Sequence, residues 1–430
     1  MKSKTLEDYK YEMMECFRCS HCKFVPWPVL RSKRFSQICP SISRFNFHAY
    51  SGSGKVEMAL SFYTGRLKEW TRRMLHIIYS CTYCGACAIS CRINNYLIDL
   101  YGILETLKHK AVLDGVGPLP QHKTYTQYIK DVHNPYNEPH ENRFNWLPTD
   151  VKITEDADLI YWVGCTSSYR RTEIAQATAR VLNKIGVDFR VLRDEEICCG
   201  SPVYMTGQKE LAKEMAQQVV DKIKKSGATK VLTACAGCYG MFKAKYPNLL
   251  DKVPFEVISL AELLDEKLQA GEIKFTRNLP MKVTYHDPCH LGRMSEFIPE
   301  WEGEWKLIGP HMYAPIPEKP TRLGLGGCYD PPRRVLKAIP GIEFVEMERI
   351  RERAWCCGAG AGCKAAYPDF ALWTASERLE EAKSTGANVL VSACPFCATN
   401  LKDAIVKNQE TLKFYDIAEL AFMALEGDEA

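Results

Sequence analysis

The 430-residue chain lacks several features that would assign it to common protein classes. No apolar run approaches the roughly 18–20 residues that cross a bilayer. The first residues, MKSKTLEDYKYEMMEC, lack the apolar segment of a secretory signal. We therefore expect a cytoplasmic protein without a transmembrane segment. The net charge is +4 and no long run of lysine or arginine occurs, so the sequence indicates no nucleic-acid partner. No G-x-G-x-x-G follows a predicted strand, which argues against a hydride acceptor.

Cysteine, in contrast, is abundant. The chain has 20 cysteines, many of them in C-x-x-C or Cys-Cys arrangements. In a small secreted protein this number would suggest disulfides. In a long chain without a signal peptide, it favours metal binding or redox chemistry.

Two cysteine triplets, CFRCSHC and CTYCGACAISC, occur near the amino terminus. This spacing is that of bacterial [4Fe-4S] ferredoxins, since one turn of chain then reaches three corners of a cube. In two-cluster ferredoxins the fourth ligand of each cluster comes from the other motif. We therefore expect one cubane held by Cys16, Cys19, Cys22 and Cys91, and a second held by Cys81, Cys84, Cys87 and Cys39.

Two departures from the ferredoxin pattern bear on this pairing but not on the presence of clusters. Sixteen residues separate Cys22 from Cys39, where three are usual, and Arg92 stands where a proline usually follows the motif. Zinc is the alternative metal, since Cys₄ zinc sites also use C-x-x-C pairs, but two complete triplets favour cubanes. Residues 55–80, between the motifs, have helical apolar spacing, so this domain should be mostly helical.

Composition divides the chain into three parts. Residues 1–110 hold the ferredoxin cysteines, and residues 111–150 are rich in proline, asparagine and histidine. The second segment lacks periodicity, which indicates a linker that runs over the surface. The remainder consists of two similar halves, 151–275 and 276–430.

The two halves contain the same sequence motifs. SGATKVLTACAGC at 226–238 parallels TGANVLVSACPFC at 385–397, and IGVDFRVLRDEEICCG at 185–200 parallels PGIEFVEMERIRERAWCCG at 340–358. Each half therefore contains an isolated cysteine, then Cys-Cys-Gly, then C-x-x-C, in the same order.

The local patterns predict parallel βαβ units in both halves. The apolar runs DLIYWVG, VDFRVL and KVLTA predict buried strands, and residues 209–226 predict a helix that Gly227 ends. Strands alternating with helices predict an α/β fold with parallel sheets, placed after the helical ferredoxin domain. Ligands of such sheets bind beyond the carboxyl ends of the strands. The five thiols of each half should therefore converge on one rim, and the two rims should face each other.

The cysteine order, together with YHDPCHLGR, YDPPRRVL, WCCGAGAG and ACPFC, resembles the paired CCG domains of heterodisulfide reductases. More closely, it resembles the HdrD-like subunits, in which a two-cluster ferredoxin domain is fused to that pair. The resemblance covers roughly residues 12–425. The stretch ICPSISRFNFHAYSGSGK is similar to the HdrD-like electron-transfer subunit associated with tungsten-type benzoyl-CoA reductases, which implies a catalytic subunit of such a reductase as a partner.

The resemblance implies two noncubane [4Fe-4S] clusters, each bound by the five cysteines of one CCG motif. The first set is Cys165, Cys198, Cys199, Cys235 and Cys238, and the second is Cys289, Cys356, Cys357, Cys394 and Cys397. The halves differ in one spacing, since 66 residues separate Cys289 from Cys356 where 32 separate Cys165 from Cys198. The extra length is an insertion near 296–327, and long insertions often form lids or docking surfaces.

The motif HDPCH contributes two candidate catalytic residues, His286 and His290. They could donate protons or hydrogen-bond to cluster sulfurs and so tune the potential; the alternative is a structural turn at the end of a strand. Cys328 and Cys363 have no counterpart in the first half. Cys363 follows the second Cys-Cys pair by six residues, so an approach to the second noncubane site is the alternative to packing, which we favour.

Splitting a disulfide takes two electrons and yields two thiolates, so a pair of adjacent clusters suits this reaction. We expect an oxidoreductase subunit of a larger redox complex. It would relay electrons between partners, such as a flavin-containing electron-transfer subunit or a ferredoxin, or reduce a disulfide at the paired CCG site. One alternative is the iron–sulfur subunit of a lactate, glycolate or glycerol-3-phosphate oxidising complex, against which the delayed Cys39 argues. Another is a zinc-stabilised scaffold without a redox role.

Overall fold

The computed structural model describes residues 4–91, 98–310 and 312–425. The amino-terminal part is helical, as the sequence predicts. Its helices are α1 (Lys10–Met14), α2 (Pro40–Phe45), α3 (Gly52–Tyr63), α4 (Arg72–Tyr79), α5 (Ala86–Ser90) and α6 (Leu100–Leu113). The stretch 55–80, which has helical apolar spacing, lies in two helices, α3 and α4, because the chain turns at Gly65, whose φ is +73°. The Thr71 hydroxyl then caps α4 by accepting a hydrogen bond from the Met74 amide.

The segment 111–150 is more ordered than a linker that runs over the surface. It contains helix α7 (Pro120–Val132), and Tyr125 and Ile129 of this helix are buried. The Tyr125 hydroxyl donates a hydrogen bond to the Pro202 carbonyl of the first CCG half. Proline at the first helical position favours helix initiation, and this signal outweighed the weak periodicity.

The first CCG half contains a three-stranded parallel sheet. Its strands β1 (Leu159–Tyr161), β2 (Lys230–Thr233) and β3 (Glu256–Ser259) lie in the order β1-β2-β3. The helices of this half are α8 (Cys165–Tyr169), α9 (Thr172–Lys184), α10 (Ser201–Met205), α11 (Lys209–Ser226), α12 (Ala236–Gly240), α13 (Tyr246–Leu249) and α14 (Leu260–Gln269). A π-helical turn, Met241–Lys245, joins α12 to α13. Helix α11 ends before Gly227, as predicted.

One predicted strand of this half is wrong. The segment VDFRVL forms only a single parallel bridge, between Arg190 and Ile160 of β1. The Arg190 amide and carbonyl bond to Leu159 and Tyr161 of β1, whereas the Phe189 carbonyl faces away from β1, toward the Thr154 amide. The ladder ends there because Leu192 leaves the extended conformation, with φ of −79° and ψ of 1°, and a 3-10 turn begins at Arg193.

The second CCG half has a four-stranded parallel sheet. Its strands β4 (Met281–Tyr285), β7 (Ile342–Phe344), β8 (Val389–Ser392) and β9 (Lys413–Asp416) lie in the order β7-β4-β8-β9. Its helices are α15 (Asp330–Ala338), α16 (Cys363–Ala366), α17 (Pro368–Ser384), α18 (Pro395–Lys407) and α19 (Ile417–Leu425). The parallel sheets of both halves confirm the predicted α/β fold class.

The insertion near 296–327 forms an antiparallel hairpin of β5 (Glu304–Leu307) and β6 (Tyr313–Ile316). This hairpin packs on the ferredoxin domain. The Tyr11 ring lies 4.4 Å from that of Tyr313 and 5.6 Å from that of Trp305, centroid to centroid. Glu15 accepts a hydrogen bond from the Tyr313 amide. The insertion therefore ties the second CCG half to the amino terminus.

The two CCG halves pack on each other through equivalent pairs of helices. Helix α9 of the first half packs against α19 of the second, and α14 of the first packs against α15 of the second. Since α14 and α19 each follow the last strand of their half, the two contacts are related by a pseudo-two-fold axis. This arrangement brings the two thiol rims together.

The apolar core continues without a break from the ferredoxin domain into both CCG halves. The cysteine sites are therefore embedded in one packed interior. Within the three described ranges, no helix has the length and apolar character needed to cross a membrane.

Candidate iron–sulfur sites

The second ferredoxin triplet lines a cavity together with the delayed cysteine. Cys39, at the start of α2, faces this cavity with Cys81, Cys84 and Cys87. These are the four cysteines that the sequence groups in one cubane. Burial raises the pKa of Cys39 to about 12. Burial and the neighbouring thiols also raise the pKa of Cys87 well above its usual range.

The two triplets have the same unusual backbone. The residues on either side of Cys84, the middle cysteine of the second triplet, have positive φ: +55° at Tyr83 and +74° at Gly85. The residues on either side of the middle cysteine of the first triplet have the same values, +55° at Arg18 and +74° at Ser20. Three of these four residues carry side chains that disfavour the left-handed region. A strained turn repeated in both motifs is the expected cost of wrapping a loop around the corner of a cube.

The first triplet lies beside the second. Cys16 and Cys22 are buried and Cys19 is exposed. The Ser53 amide donates a hydrogen bond to the Cys22 sulfur at 3.3 Å. Gly52 lies between the two motifs and allows their close approach, since a Cβ there would lie 3.2 Å from the Cys87 Cβ and 3.3 Å from that of Cys22.

Cys91, the fourth ligand predicted for the first cubane, is buried immediately after α5. Arg92, which departs from the ferredoxin pattern, lies outside the described residues. The grouping of Cys91 with the first triplet therefore stays a prediction.

The CCG cysteines lie at the ends of the parallel strands. Cys165 begins α8 four residues after β1, and Cys235 caps α12 two residues after β2. In the second half, Cys289 follows β4 by four residues, and Cys394 caps α18 two residues after β8. The glycine of each Cys-Cys-Gly motif has a positive φ, +80° at Gly200 and +91° at Gly358, which explains why glycine follows each pair.

All ten CCG thiols form one continuous series of contacts. In the first half, the series runs from Cys165 through Cys198, Cys199 and Cys238 to Cys235. In the second half, it runs from Cys394 through Cys397, Cys357 and Cys356 to Cys289. Cys235 contacts Cys394 and joins the two halves. The structure therefore places the two sets of five face to face, as the sequence predicts.

The ferredoxin domain reaches this series through Cys84. The sulfurs of Cys84, Cys289 and Cys356 all lie within 4.8 Å of one another. The second ferredoxin triplet and the second CCG set are therefore neighbours.

The donor set fits iron–sulfur clusters. Contact with Cys199 and Cys235, together with burial, raises the pKa of the Cys238 thiol well above its usual range. A dry group of crowded thiols ionises only when a cation compensates the negative charge. Thiolate is the ligand of both iron–sulfur clusters and zinc. Five thiols per half exceed the four of a structural zinc site, which favours iron–sulfur.

Each isolated CCG cysteine has a buried arginine against its sulfur. Both terminal nitrogens of Arg143 lie 3.7 Å from the Cys165 sulfur, and Nη2 of Arg293 lies 3.2 Å from the Cys289 sulfur. Arg143 also forms a fully buried ion pair with Glu196, at 2.7 Å. Sequence reasoning missed both arginines, although Arg293 stands four residues after Cys289.

Arg293 also links the CCG and ferredoxin domains. Its Nε donates a hydrogen bond to the Cys84 carbonyl at 2.5 Å, and Nη1 donates to the carbonyls of Glu352 and Ala354 at 2.9 and 2.8 Å. The arginine therefore holds the two domains together at the point where their thiols meet.

Two buried lysines accompany the second cubane site. Lys108 Nζ donates hydrogen bonds to the carbonyls of Cys81 at 3.4 Å and Met205 at 3.3 Å, and Lys55 Nζ donates to the Tyr50 carbonyl. Neither ammonium forms an ion pair with a carboxylate in the part of the chain that the structure describes. Burial lowers the pKa of Lys108, while the Cys81 thiol acts in the opposite direction. These two buried ammonium groups would favour binding of a negatively charged group, such as a thiolate-bound cluster, at the second triplet.

His286 lies in the second CCG site. One of its ring nitrogens is within 4.8 Å of the sulfurs of Cys357 and Cys397. Its Nδ1 accepts a hydrogen bond from Arg378 Nε at 3.1 Å, so the ring proton is on Nε2. Arg378 is held in turn by an ion pair with Glu381 at 2.6 Å. A role of His286 toward a cluster stays a prediction.

His290 lies in surroundings that differ from those of His286. Its burial, together with the charge of Lys245, lowers its pKa to about 4. The ring is therefore neutral near pH 7. A proton-donating role for His290 stays a prediction.

The two remaining cysteines are packed away from the CCG thiols. The Cys328 sulfur lies 3.8 Å from the Ser259 hydroxyl. Cys363 is fully buried and donates to the Tyr79 carbonyl at 3.3 Å, on the side of the second cubane site. Packing of this kind agrees with the role favoured from the sequence.

A cavity of about 340 Å³ opens between α6, the first CCG half and the insertion. Tyr101 lines both this cavity and the cavity of the second triplet, and Lys245 of its lining is the residue whose charge helps to lower the pKa of His290. Its cationic groups belong to Lys4, Lys209, Lys213, Lys245, Lys319 and Arg322, and its carboxylates to Asp99, Glu105, Glu210 and Glu300. Glu105 forms ion pairs with both Lys209 and Lys245. Its aromatic rings belong to Tyr9, Tyr101, Tyr204 and Trp301. The cavity therefore offers charged groups of both signs and aromatic surface, and Tyr101 separates it from the cavity of the second triplet.

Comparison with known families agrees with this organisation. Residues 12–95 match the 4Fe-4S dicluster domain, and residues 159–243 and 321–402 each match the cysteine-rich domain of the CCG type. These matches correspond to the helical domain and the two α/β halves.

Known proteins extend the similarity over most of the chain. The D subunit of the dihydromethanophenazine:CoB--CoM heterodisulfide reductase of Methanosarcina acetivorans is 40% identical over 81% of this chain and 78% of its own length. The B subunit of the CoM/CoB fumarate reductase of Methanothermobacter marburgensis is 29% identical over 82% of this chain and 62% of its own length. The EtfAB:quinone oxidoreductase of Syntrophomonas wolfei is 27% identical over 81% of this chain and 46% of its own length. The chain therefore belongs to the HdrD family of heterodisulfide reductases, as an HdrD-like iron–sulfur oxidoreductase subunit.

Proposed function

We propose that this subunit carries single electrons through two cubane clusters into a pair of noncubane clusters. The contact of Cys84 with Cys289 and Cys356 is the observation that carries the proposal, because it joins the ferredoxin ligands to the CCG ligands. The order of sites would be the first triplet, the second triplet, the second CCG set and then the first CCG set. Electrons would enter at the exposed Cys19 or leave there, depending on the partner.

Several residues of the chain bring the successive sites of this proposed electron path close together. Gly52 allows the two triplets to approach, and Arg293 binds the Cys84 carbonyl and the Cys289 sulfur at once. Cys235 and Cys394 bring the two CCG sets into contact. When bound, the noncubane clusters would each supply one electron and an open iron site for a thiolate.

Disulfide reduction at the paired CCG site is the specific reaction that we propose. The face-to-face thiol sets favour it, because cleavage of one disulfide needs two electrons delivered at one place. The neighbouring cavity of about 340 Å³ has room for a small polar disulfide. Its tyrosine and lysine side chains would orient such a substrate.

We propose redox partners of the kinds that the sequence suggests. A flavin-containing electron-transfer subunit is supported by the name of the S. wolfei relative, EtfAB:quinone oxidoreductase. A ferredoxin, or the catalytic subunit of a benzoyl-CoA reductase, is an alternative partner. Co-purification of the chain from its source, followed by identification of the bound subunits, would decide among them.

Iron, acid-labile sulfide and zinc should be measured per chain on anaerobically purified protein. We expect about 16 iron and about 16 sulfide, which corresponds to four [4Fe-4S] clusters. About 8 iron would mean that only the cubanes are assembled, and the proposed disulfide chemistry would be abandoned. Stoichiometric zinc without iron would indicate a scaffold.

A matched pair of cysteine variants would locate the clusters. Cys394→Ser should remove about 4 iron, the content of one [4Fe-4S] cluster. Cys328→Ser changes an equally buried thiol that we assign to packing, and it should keep the full complement. Equal iron in both variants would exclude Cys394 as a ligand.

A further inference from the structure

The surface around the first cubane site has an unusual charge. From residue 16 to residue 56 the chain contains no aspartate or glutamate, but it contains seven lysines and arginines. Arg18 is neutralised by Glu57, and Arg34 by Glu377. Lys23 and Lys33 have no carboxylate partner among the described residues, and Lys33 is exposed. This face is therefore positively charged.

The same stretch of chain exposes large apolar side chains. Phe17 is 60% exposed, Trp27 is 85% exposed and Phe47 is 65% exposed. The loop of Phe47 lies near the triplet, since the charges of Lys23 and Arg18 act on the adjacent His48 and, after burial, lower its pKa. Aromatic groups beside cations are typical of the surfaces by which proteins bind each other.

An exposed thiol lies on this face. All twenty cysteines are described, and Cys19 alone among them is exposed. Electron transfer becomes slower as the distance between centres increases, so a partner that covers Cys19 has the shortest path to the first cubane. We name the surface formed by Phe17, Cys19, Lys23, Trp27, Lys33 and Phe47 the entry face.

We infer that the entry face is the docking surface for an acidic redox protein that carries one electron at a time. This inference rests on the proposed electron-transfer function. Negative charge on the partner complements the lysines of the entry face and accelerates encounter. Trp27 and Phe47 then provide the apolar contact area that holds the complex. An anionic membrane would meet the same charges, but it would make no use of an exposed cluster ligand.

The experiment uses the intact four-cluster protein and, as probe, a reduced acidic bacterial two-[4Fe-4S] ferredoxin. Stopped-flow absorbance gives the second-order rate constant of electron transfer. For Lys23→Glu/Lys33→Glu we expect a fall of at least about tenfold at low ionic strength. The wild-type rate should also decrease as salt is added. Trp27→Ser should weaken the complex without changing the salt dependence.

The matched control is Lys224→Glu/Lys230→Glu, which reverses two exposed lysines of the first CCG half. This variant should keep its rate within about twofold, since distant surface charges are screened. Iron content and reduction by dithionite should be normal in all variants, which shows that they fold.

Several outcomes would overturn the inference. An unchanged rate in the entry-face variant is one, and an equal loss in the control is another. Binding to anionic vesicles that depends on Lys23 and Lys33, with ferredoxin transfer unaffected, would assign the face to a membrane. If the wild type has full iron but takes no electrons from the probe, the acidic partner is excluded. A lack of clusters, in contrast, would contradict the proposed function itself.

Discussion

Replacing Lys108 by methionine should lower the reduction potential of the cubane that we propose at Cys39, Cys81, Cys84 and Cys87. The ammonium is buried, contacts the Cys81 carbonyl at 3.4 Å and has no ion pair with a carboxylate among the described residues. A positive charge stabilises the reduced cluster more than the oxidised one, because reduction adds negative charge. Methionine has a similar volume and carries no charge, so the cluster should become harder to reduce.

The structure sets the magnitude of this effect. Covalent geometry places the ammonium roughly 4–8 Å from the Cys81 sulfur. At an effective dielectric constant of about 20, a unit charge at the far end of that range contributes about 2 kcal/mol. For one electron, about 1.4 kcal/mol corresponds to about 59 mV, so we expect a decrease of about 80 mV.

The assay is a redox titration followed by electron paramagnetic resonance on anaerobic protein with full iron content. Lys110→Met is the matched control, because Lys110 lies on the same helix α6 but is partly exposed and paired with Asp114. Its substitution should shift no potential by more than about 20 mV, since solvent screens surface charge. If Lys108→Met leaves every potential unchanged, or if Lys110→Met has an equal effect, the electrostatic reasoning is refuted.

Three further predictions concern other parts of the site. Gly52→Ala should reduce iron binding by the ferredoxin domain, because its Cβ would crowd two predicted ligand cysteines at 3.2 and 3.3 Å; Gly309→Ala, whose Cβ would meet no described residue closer than 4.0 Å, should keep its iron. Arg143→Met should destabilise the protein by about 3–5 kcal/mol, because Glu196 is left buried and unpaired. Thermal melting should show partial recovery when Glu196→Gln is added. His286→Phe should lower the potential of the second noncubane cluster alone, by about 40 mV if one hydrogen bond of about 1 kcal/mol is lost, and a shift of both noncubane clusters would contradict this assignment.

Regular elements could be predicted where periodicity and an end signal coincide. Helix α11 is an example, since its apolar residues recur every four positions and Gly227 supplies the left-handed end. The segment VDFRVL is a case in which composition alone predicted the wrong element. Its composition favours a strand, but its hydrogen bonds are shared between Ile160's strand and a preceding loop. How many of its backbone groups pair with the strand of Ile160 depends on tertiary contacts, which the sequence does not show.

The order of the cysteines predicted the two facing sets of thiols, because strand ends in parallel sheets meet at one edge. The charged groups around them could not be predicted in this way. Arg143 lies in a segment rich in proline and asparagine, where a lone arginine is ordinarily solvated. Its contact with Cys165 crosses 22 residues, and its ion pair with Glu196 crosses 53. Only the folded chain shows that these groups share one buried site.

The buried cations link cluster binding to folding. Arg293 and Lys108 are almost inaccessible to solvent, and in the described ranges neither has an ion pair with a carboxylate. Burial of such a charge costs several kcal/mol unless a counter-charge compensates it. The thiolates of the proposed clusters would supply that counter-charge at both positions, beside Cys289 and beside Cys81. On the proposed electron path, we therefore expect the same groups to couple cluster binding to folding, so that loss of the clusters lowers the stability of the interior.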